Sequence, residues 1–196
     1  MCYKDFVDYI IPTIGLVISI AACIFTFLTY RKSHDILDVV DEERKFRWNR
    51  KELETLFSTI PIDSIERFFK TPDIIRNELW EGLRAVNLET FQYNGKERDL
   101  IVKFVNALES FCFMHYEQLP SCHWKFHPLT EKEPFDEDKE NRKKEELLEK
   151  ARALYPLFKE VKNILMNYHV NIRDINRKAY DFYFKKQEEE RQDFQF

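Results

Sequence analysis

Hydrophobic and polar positions divide this chain into two regimes. From Tyr9 to Leu28 the residues read Tyr-Ile-Ile-Pro-Thr-Ile-Gly-Leu-Val-Ile-Ser-Ile-Ala-Ala-Cys-Ile-Phe-Thr-Phe-Leu, without one charge. Roughly 20 apolar residues, rising 1.5 Å each as a helix, cross the ~30 Å hydrocarbon core of a bilayer. Tyr9 and Tyr30 bracket the run, where amphipathic rings favour the two interfaces. A cleaved signal peptide needs a basic start, a shorter apolar run and a small-residue cleavage site. Here Met1 to Asp8 mixes signs, and Thr29-Tyr-Arg-Lys is no cleavage site. The pattern predicts a transmembrane anchor over residues 1–32. Counting only Lys and Arg, the flank with Arg31 and Lys32 outweighs the one with Lys4, which puts the following residues in the cytoplasm. The expectation is a single-pass protein of the cell inner membrane.

Past the anchor the apolar positions recur with helical spacing. Residues 36, 39, 40, 53, 56 and 57 predict a helix running out of the anchor, with room for a break in its middle, and ending before Ile60-Pro61. Asp63-Ser-Ile-Glu66 has the form of a helix start, a cap oxygen with a Glu three residues on. Thr71-Pro72-Asp73 reads as another, opening a helix with Ile75, Leu79, Leu83 and Val86 on one face. Thr90 to Tyr93 alternates like a short extended piece, and Asn94-Gly95 is the clearest turn. The broadest apolar stripe follows, predicting a helix from about Lys96 to Gln118. Leu119 to about Asp138 has no periodicity and reads as a long loop. Glu140 to Met166 is helical in pattern, with Pro156 predicting two pieces or a bend. A last helix is expected from about Arg173 to Gln187. The predicted fold is thus all-α: a helical-bundle cytoplasmic domain over residues 33–187, then a fraying polar tail over 188–196.

Composition sharpens this. The chain holds only 3 Gly, which disfavours a sandwich of tight turns or a Gly-rich phosphate loop. Its 18 Phe supply a large apolar payload to a small domain. A net charge of −4 gives no overall basic field, so nucleic acid is not an expected partner. Cys2, Cys23, Cys112 and Cys122 lack the spacing of a disulfide scaffold and suit a reducing compartment.

Candidate chemistry is sparse. Gly15, Ser19, Ala22 and Thr26 form a stripe of small residues along one side of the anchor, a pattern that lets two membrane helices approach closely. Its functional reading is a homo-oligomer formed in lipid; its bland reading is an anchor facing lipid. Cys112-x-x-His115, with Cys122 and His127 beyond, makes a thiolate and imidazole set of the kind zinc binds. The bland reading places Cys112 and His115 on a helix's apolar face and the others in a loop. Arg44, Lys45, Arg47, Arg50 and Lys51 surround Phe46 and Trp48. That patch could meet anionic lipid, could meet nucleic acid, or could be an ordinary exposed helix face, the preferred reading. Paired Glu residues among Lys and Arg read as solvated helix faces. No catalytic residues stand out, so the expectation leans away from an enzyme.

The segment Phe104-Val-Asn-Ala-Leu-Glu-Ser-Phe, after the Asn94-Gly95 turn, resembles a helix of uncharacterised bacterial membrane proteins with one N-terminal anchor and a small helical cytoplasmic domain. Their pattern pairs an Asn with a Glu three residues on, here Asn106 and Glu109, and this pair is expected to be polar glue in the helical core. The resemblance implies no activity. The layout is also similar to small anchored effectors of bacterial anti-phage defence. The expected function is therefore a membrane-anchored interaction protein with membrane lipid and a protein as partners, in its sharper form a defence effector that self-associates through the anchor. The alternative is a tethered zinc-binding or enzymatic helical domain.

Overall fold

The computed structural model describes residues 11–127 and 136–193. The flank holding Lys4 and Tyr9, residues 128–135 of the expected loop, and residues 194–196 of the expected tail lie outside the described residues. In order, the elements are α1 (Ile11–Leu56), α2 (Ile62–Lys70), β1 (Ile74–Arg76), α3 (Asn77–Ala85), a 3-10 turn (Leu88–Thr90), α4 (Arg98–Cys112), β2 (Tyr116–Leu119), β3 (His123–Phe126), α5 (Glu137–Asn167) and α6 (Ile172–Asp193). The chain divides into two compact units, the first ending at Phe46 and the second beginning at Arg47.

In the first unit, α1 is long and apolar enough to cross a membrane. Every described side chain from Thr13 to Lys45 is exposed. Thr26 Oγ1 donates to the Ala22 carbonyl and Thr29 Oγ1 to that of Phe25, each at 2.8 Å, so both hydroxyls are satisfied within the helix. Beyond the apolar run, His34 and Asp38 lie 3.1 Å apart and Arg44 and Asp41 3.4 Å, pairs at helical spacing.

The second unit starts within the last turns of α1, where Leu53, Leu56 and Phe57 enter the core. That core gathers Ile60 from the connection after α1, and Ile65, Phe68, Leu79, Leu83, Ile101, Phe104, Leu108, Phe158 and Leu165 from α2 to α5. A line of rings runs through it: Phe111 to Phe68 at 5.1 Å, Phe68 to Phe69 at 5.2 Å, Phe69 to Phe158 at 5.3 Å and Phe158 to Phe104 at 5.8 Å. Tilted and edge-on pairs like these add to simple area burial.

Three polar side chains of α1 hold the strand-like stretch before α4. Trp48 Nε1 donates to the Gln92 carbonyl at 3.0 Å, and the Gln92 amide donates to Glu52 at 2.8 Å. Between them Asn49 is fully buried. Its Oδ1 accepts from the Asn94 amide at 2.8 Å, while Nδ2 donates to the Asn94 carbonyl at 2.9 Å and to Tyr168 Oη at 3.2 Å. Trp48 is thus used structurally though still exposed, and Arg50 pairs with Glu54 at 2.9 Å.

Helices make up 77% of the structure, but the all-α expectation missed a small antiparallel sheet, ordered β1-β3-β2. Thr71-Pro72-Asp73 opens β1 rather than a helix, and the expected loop after Leu119 begins with the β2–β3 hairpin. Its register pairs Leu119 with His123 and Tyr116 with Phe126, while β1 adds Ile75 opposite Trp124. Aromatic stacking fixes the hairpin: Trp124 lies on Trp80 of α3 at 4.0 Å and 14°. Tyr116 Oη donates to the Pro72 carbonyl at 2.6 Å.

The helix ends also differ from expectation. At α2 no side chain of its own caps the start; Asn176 Oδ1 on α6 accepts from the Ile62 amide at 2.7 Å. The stretch from Thr90 to Tyr93 leaves a 3-10 turn at Thr90 and is extended at Phe91, outside any sheet. α5 runs unbroken through Pro156. Pro156 is exposed, so the carbonyl that lacks a donor there can turn to water. The polar tail is helical as far as Asp193.

Glycine matters for close approach here, not for turns. A Cβ at Gly82 would lie 2.1 Å from the Thr59 carbonyl oxygen, a backbone atom that cannot swing aside. Left-handed backbone falls instead to His115 (φ 59°), Cys122 (φ 59°) and His169 (φ 53°). His169 closes α5 with paired bonds, its amide to Met166 and that of Val170 to Leu165, each 2.9 Å.

Gly82→Ala is expected to cost about 1–3 kcal/mol by overpacking, and Asn49→Ala about 1–3 kcal/mol by stranding the Asn94 amide. Urea denaturation of the detergent-solubilised chain measures both. Midpoints equal to that of the unaltered protein would contradict these contact roles.

Candidate functional site

Among the described residues of the second unit, a cleft of about 830 Å³ opens between α2 and α5. Helical periodicity builds both walls. On α2, Glu66, Phe69 and Lys70 fall at steps of three and one, so they share a face. On α5, Leu148, Arg152, Tyr155, Lys159 and Lys162 form a single stripe at steps of four and three, with Ala151 beside it. Pro72, just past α2, closes one side. Ile65 and Phe68 on the neighbouring face of α2 and Leu154, Phe158 and Leu165 on α5 enter the core, and Phe158 with Ala151 also reaches the base of the cleft. The other lining positions of the two helices are ones that core packing leaves at least partly exposed.

Its floor is aromatic. Phe69 touches Tyr155 edge-on and Phe158 at a tilt, both with centroids 5.3 Å apart. Its rim is basic, with Lys70, Arg152, Lys159 and Lys162 facing one carboxylate, Glu66. Lys162 Nζ lies 2.5 Å from Glu66 Oε1. Both side chains are more than a third exposed, so the pair is worth at most about 1 kcal/mol. Lys159 Nζ sits 4.7 Å from the centre of the Tyr155 ring. Lys70 and Arg152 are exposed and have no carboxylate partner among the described residues. On a chain of net charge −4, this is a local concentration of positive charge over aromatic rings.

A second polar cluster joins α2, α3 and α6. Tyr180 Oη donates to Asp63 Oδ2 at 3.0 Å, and Ser64 Oγ lies 3.2 Å from Glu78 Oε1 and 3.3 Å from Tyr180 Oη. Burial, then the neighbouring Asp63, raises the Tyr180 hydroxyl above its ordinary pKa. These groups bond one another across the three helices and read as structural glue, with Asp63 Oδ1 left buried and unbonded among the described residues.

The residues singled out from sequence are placed as follows. Cys112 is fully buried in the core, and desolvation pushes its thiol far above the ordinary range, with Glu109 adding to the effect. His115 is the left-handed residue just beyond α4, its ring edge-on to Phe126 at 6.3 Å. Cys122 is exposed at the tip of the β2–β3 hairpin, where its amide donates to the Leu119 carbonyl at 3.2 Å. His127 donates its amide to the His115 carbonyl at 2.8 Å and sets its ring 3.5 Å from Glu117. The backbone thus joins His115 and His127, while Cys112 turns inward. Among the described residues no group of three or more His, Cys, Asp or Glu is placed to hold a metal ion. Asn106 is exposed and Glu109 half-buried, so the reading of this pair as core glue needs correction at Asn106: it lies on the water side of α4. Ser19, Ala22 and Thr26 are exposed along α1, and the surroundings of Gly15 lie outside what is described.

The cleft escaped sequence reading because its residues come from segments about 80 positions apart, and each half looks like an ordinary amphipathic helix. A faint signal existed: Tyr155, Lys159 and Lys162 repeat on the face flanking the core stripe. The chain matches no protein-family model, no curated protein and no solved structure.

At pH 8 and without denaturant, iodoacetamide is expected to modify Cys122 readily and Cys112 at least about tenfold more slowly, since the thiolate is the nucleophile. Peptide mass mapping reads both sites. Equal rates would show that Cys112 is neither buried nor raised.

Proposed function

We propose that this chain is a membrane-anchored helical interaction protein, with α1 crossing the inner membrane once and the unit from Arg47 binding its partner in the cytoplasm. The carrying observation is the uncharged run of α1, exposed at Ile14, Leu16, Val17, Ile18, Ile20, Ile24, Phe25, Phe27 and Leu28. Those large side chains cover more than half of the helix circumference, and the remaining side holds the uncharged Ser19, Ala22, Cys23 and Thr26, so no side of the run carries a charge. Hydrocarbon can surround such a run, and a helix satisfies its own backbone there. Left in water, such a surface would exceed the patches soluble proteins carry. Arg31 and Lys32 at the end of the run support the cytoplasmic orientation.

Binding rather than catalysis is supported by the lining of the cleft. Its carboxylate, Glu66, is already bonded to Lys162, and the remaining lining offers rings and cations rather than a nucleophile beside a base. In the same reading, Gly15, Ser19, Ala22 and Thr26 let anchors pair, so occupancy of the soluble unit is converted into assembly in the membrane, the layout of a membrane-acting defence effector. Because Thr26 spends its hydroxyl on Ala22, pairing rests on small size and close packing.

Alkaline carbonate extraction of bacterial membranes tests the anchor: the full chain is expected in the pellet and residues 33–196 in the supernatant. A full chain washed out by carbonate would overturn it. Gly15→Leu with Ser19→Leu is expected to abolish self-association in a membrane two-hybrid assay while leaving insertion intact; undiminished association would remove that part of the proposal.

A further inference from the structure

Resting on the reading of the second unit as a binding module, we infer that the cleft between α2 and α5 is a nucleotide site, taking one base on its aromatic floor and phosphates on its cationic rim. Size is the first argument. About 830 Å³ falls within the range of small-ligand pockets and suits a single nucleotide. Charge is the second. Lys70 and Arg152 have no carboxylate partner among the described residues, and Lys159 and Lys162 are held only by weak exposed contacts. A ligand must bring several negative charges to use four cations, and a polyphosphate does so. Arg152 adds the planar fork that grips phosphate oxygens in pairs.

The rings supply the third argument. Tyr155 is 43% exposed, and Lys159 covers its face at 4.7 Å. Exposed cation–π contacts are worth about 0.5–1 kcal/mol. Lys159 can therefore swing to a phosphate and free the Tyr155 face, and stacking a base there is worth about 1–3 kcal/mol. Charge neutralisation and ring exposure are coupled in one side-chain movement. A lipid headgroup shares the phosphate chemistry. It also needs an apolar trough for its chains, whereas the aliphatic lining is limited to Leu148, Ala151 and Pro72.

Equilibrium dialysis of the full chain in neutral detergent with radiolabelled ATP tests the site. Saturable binding is expected, with adenosine and inorganic triphosphate each competing at least about tenfold more weakly than ATP. Lys70→Ala with Arg152→Ala, and separately Tyr155→Ala, are expected to weaken binding at least about tenfold. Tyr155→Phe, which keeps the ring, and Lys103→Ala, an equal charge change on the exposed side of α4, are expected to leave it unchanged. Lack of saturable binding up to millimolar ATP would overturn the proposal. So would triphosphate competing as well as ATP, displacement by phosphatidylglycerol micelles at equal concentration, or equal weakening by Lys103→Ala. None of these outcomes bears on carbonate extraction, so failure of the nucleotide site and failure of the anchor are read separately.

Discussion

Asn49 sets the constraint on which the second unit depends. A primary amide buried completely among apolar side chains is tolerable only if its polar atoms are bonded. Its partners are the Asn94 backbone and Tyr168, which stand 45 and 119 positions away. The last turns of α1, the turn before α4 and the end of α5 must therefore meet in one arrangement. Trp48 and Glu52 extend the same lock along the backbone at Gln92. An apolar residue at position 49 would stabilise many packings; the amide accepts only this one.

From that junction the aromatic side chains carry order outwards. The rings from Phe104 through Phe158 to Phe69 lead from the centre of the core to the floor of the cleft. The floor is held by burial, worth about 1.5–3 kcal/mol for each large apolar side chain. The rim is held by the exposed Lys162–Glu66 pair and the Lys159–Tyr155 contact, each of at most about 1 kcal/mol. This inequality gives the cleft a fixed base and adjustable edges, the division a ligand site needs.

A different economy governs the turns. With three glycines in the chain, left-handed backbone is assigned to His115, Cys122 and His169, at a cost of about 1–2 kcal/mol each. Two of these, His115 and Cys122, are members of the zinc-like spacing seen in sequence. One ends the turn after α4 and the other closes the hairpin. Their spacing follows from the four residues of β2 and the two turn residues, Pro120 and Ser121, that lie between them.

Periodicity by itself determined much of this protein. It located the apolar run of α1, the core stripes of α4 and α5 and most of α6, because helical burial repeats within a few residues. It could not locate the sheet: β1 and β3 are three and four residues long, and the hairpin turns on Cys122 where a glycine or Asn-Gly would have announced it. It could not tell that α5 stays continuous at Pro156, which lies on the water side, nor that the start of α2 takes its cap from Asn176. The cleft was the least legible feature. Its rings and cations occupy the outer faces of two helices, and such faces become a site only when core packing sets them side by side. Sequence determines what each helix must bury; tertiary structure alone decides which unburied faces meet.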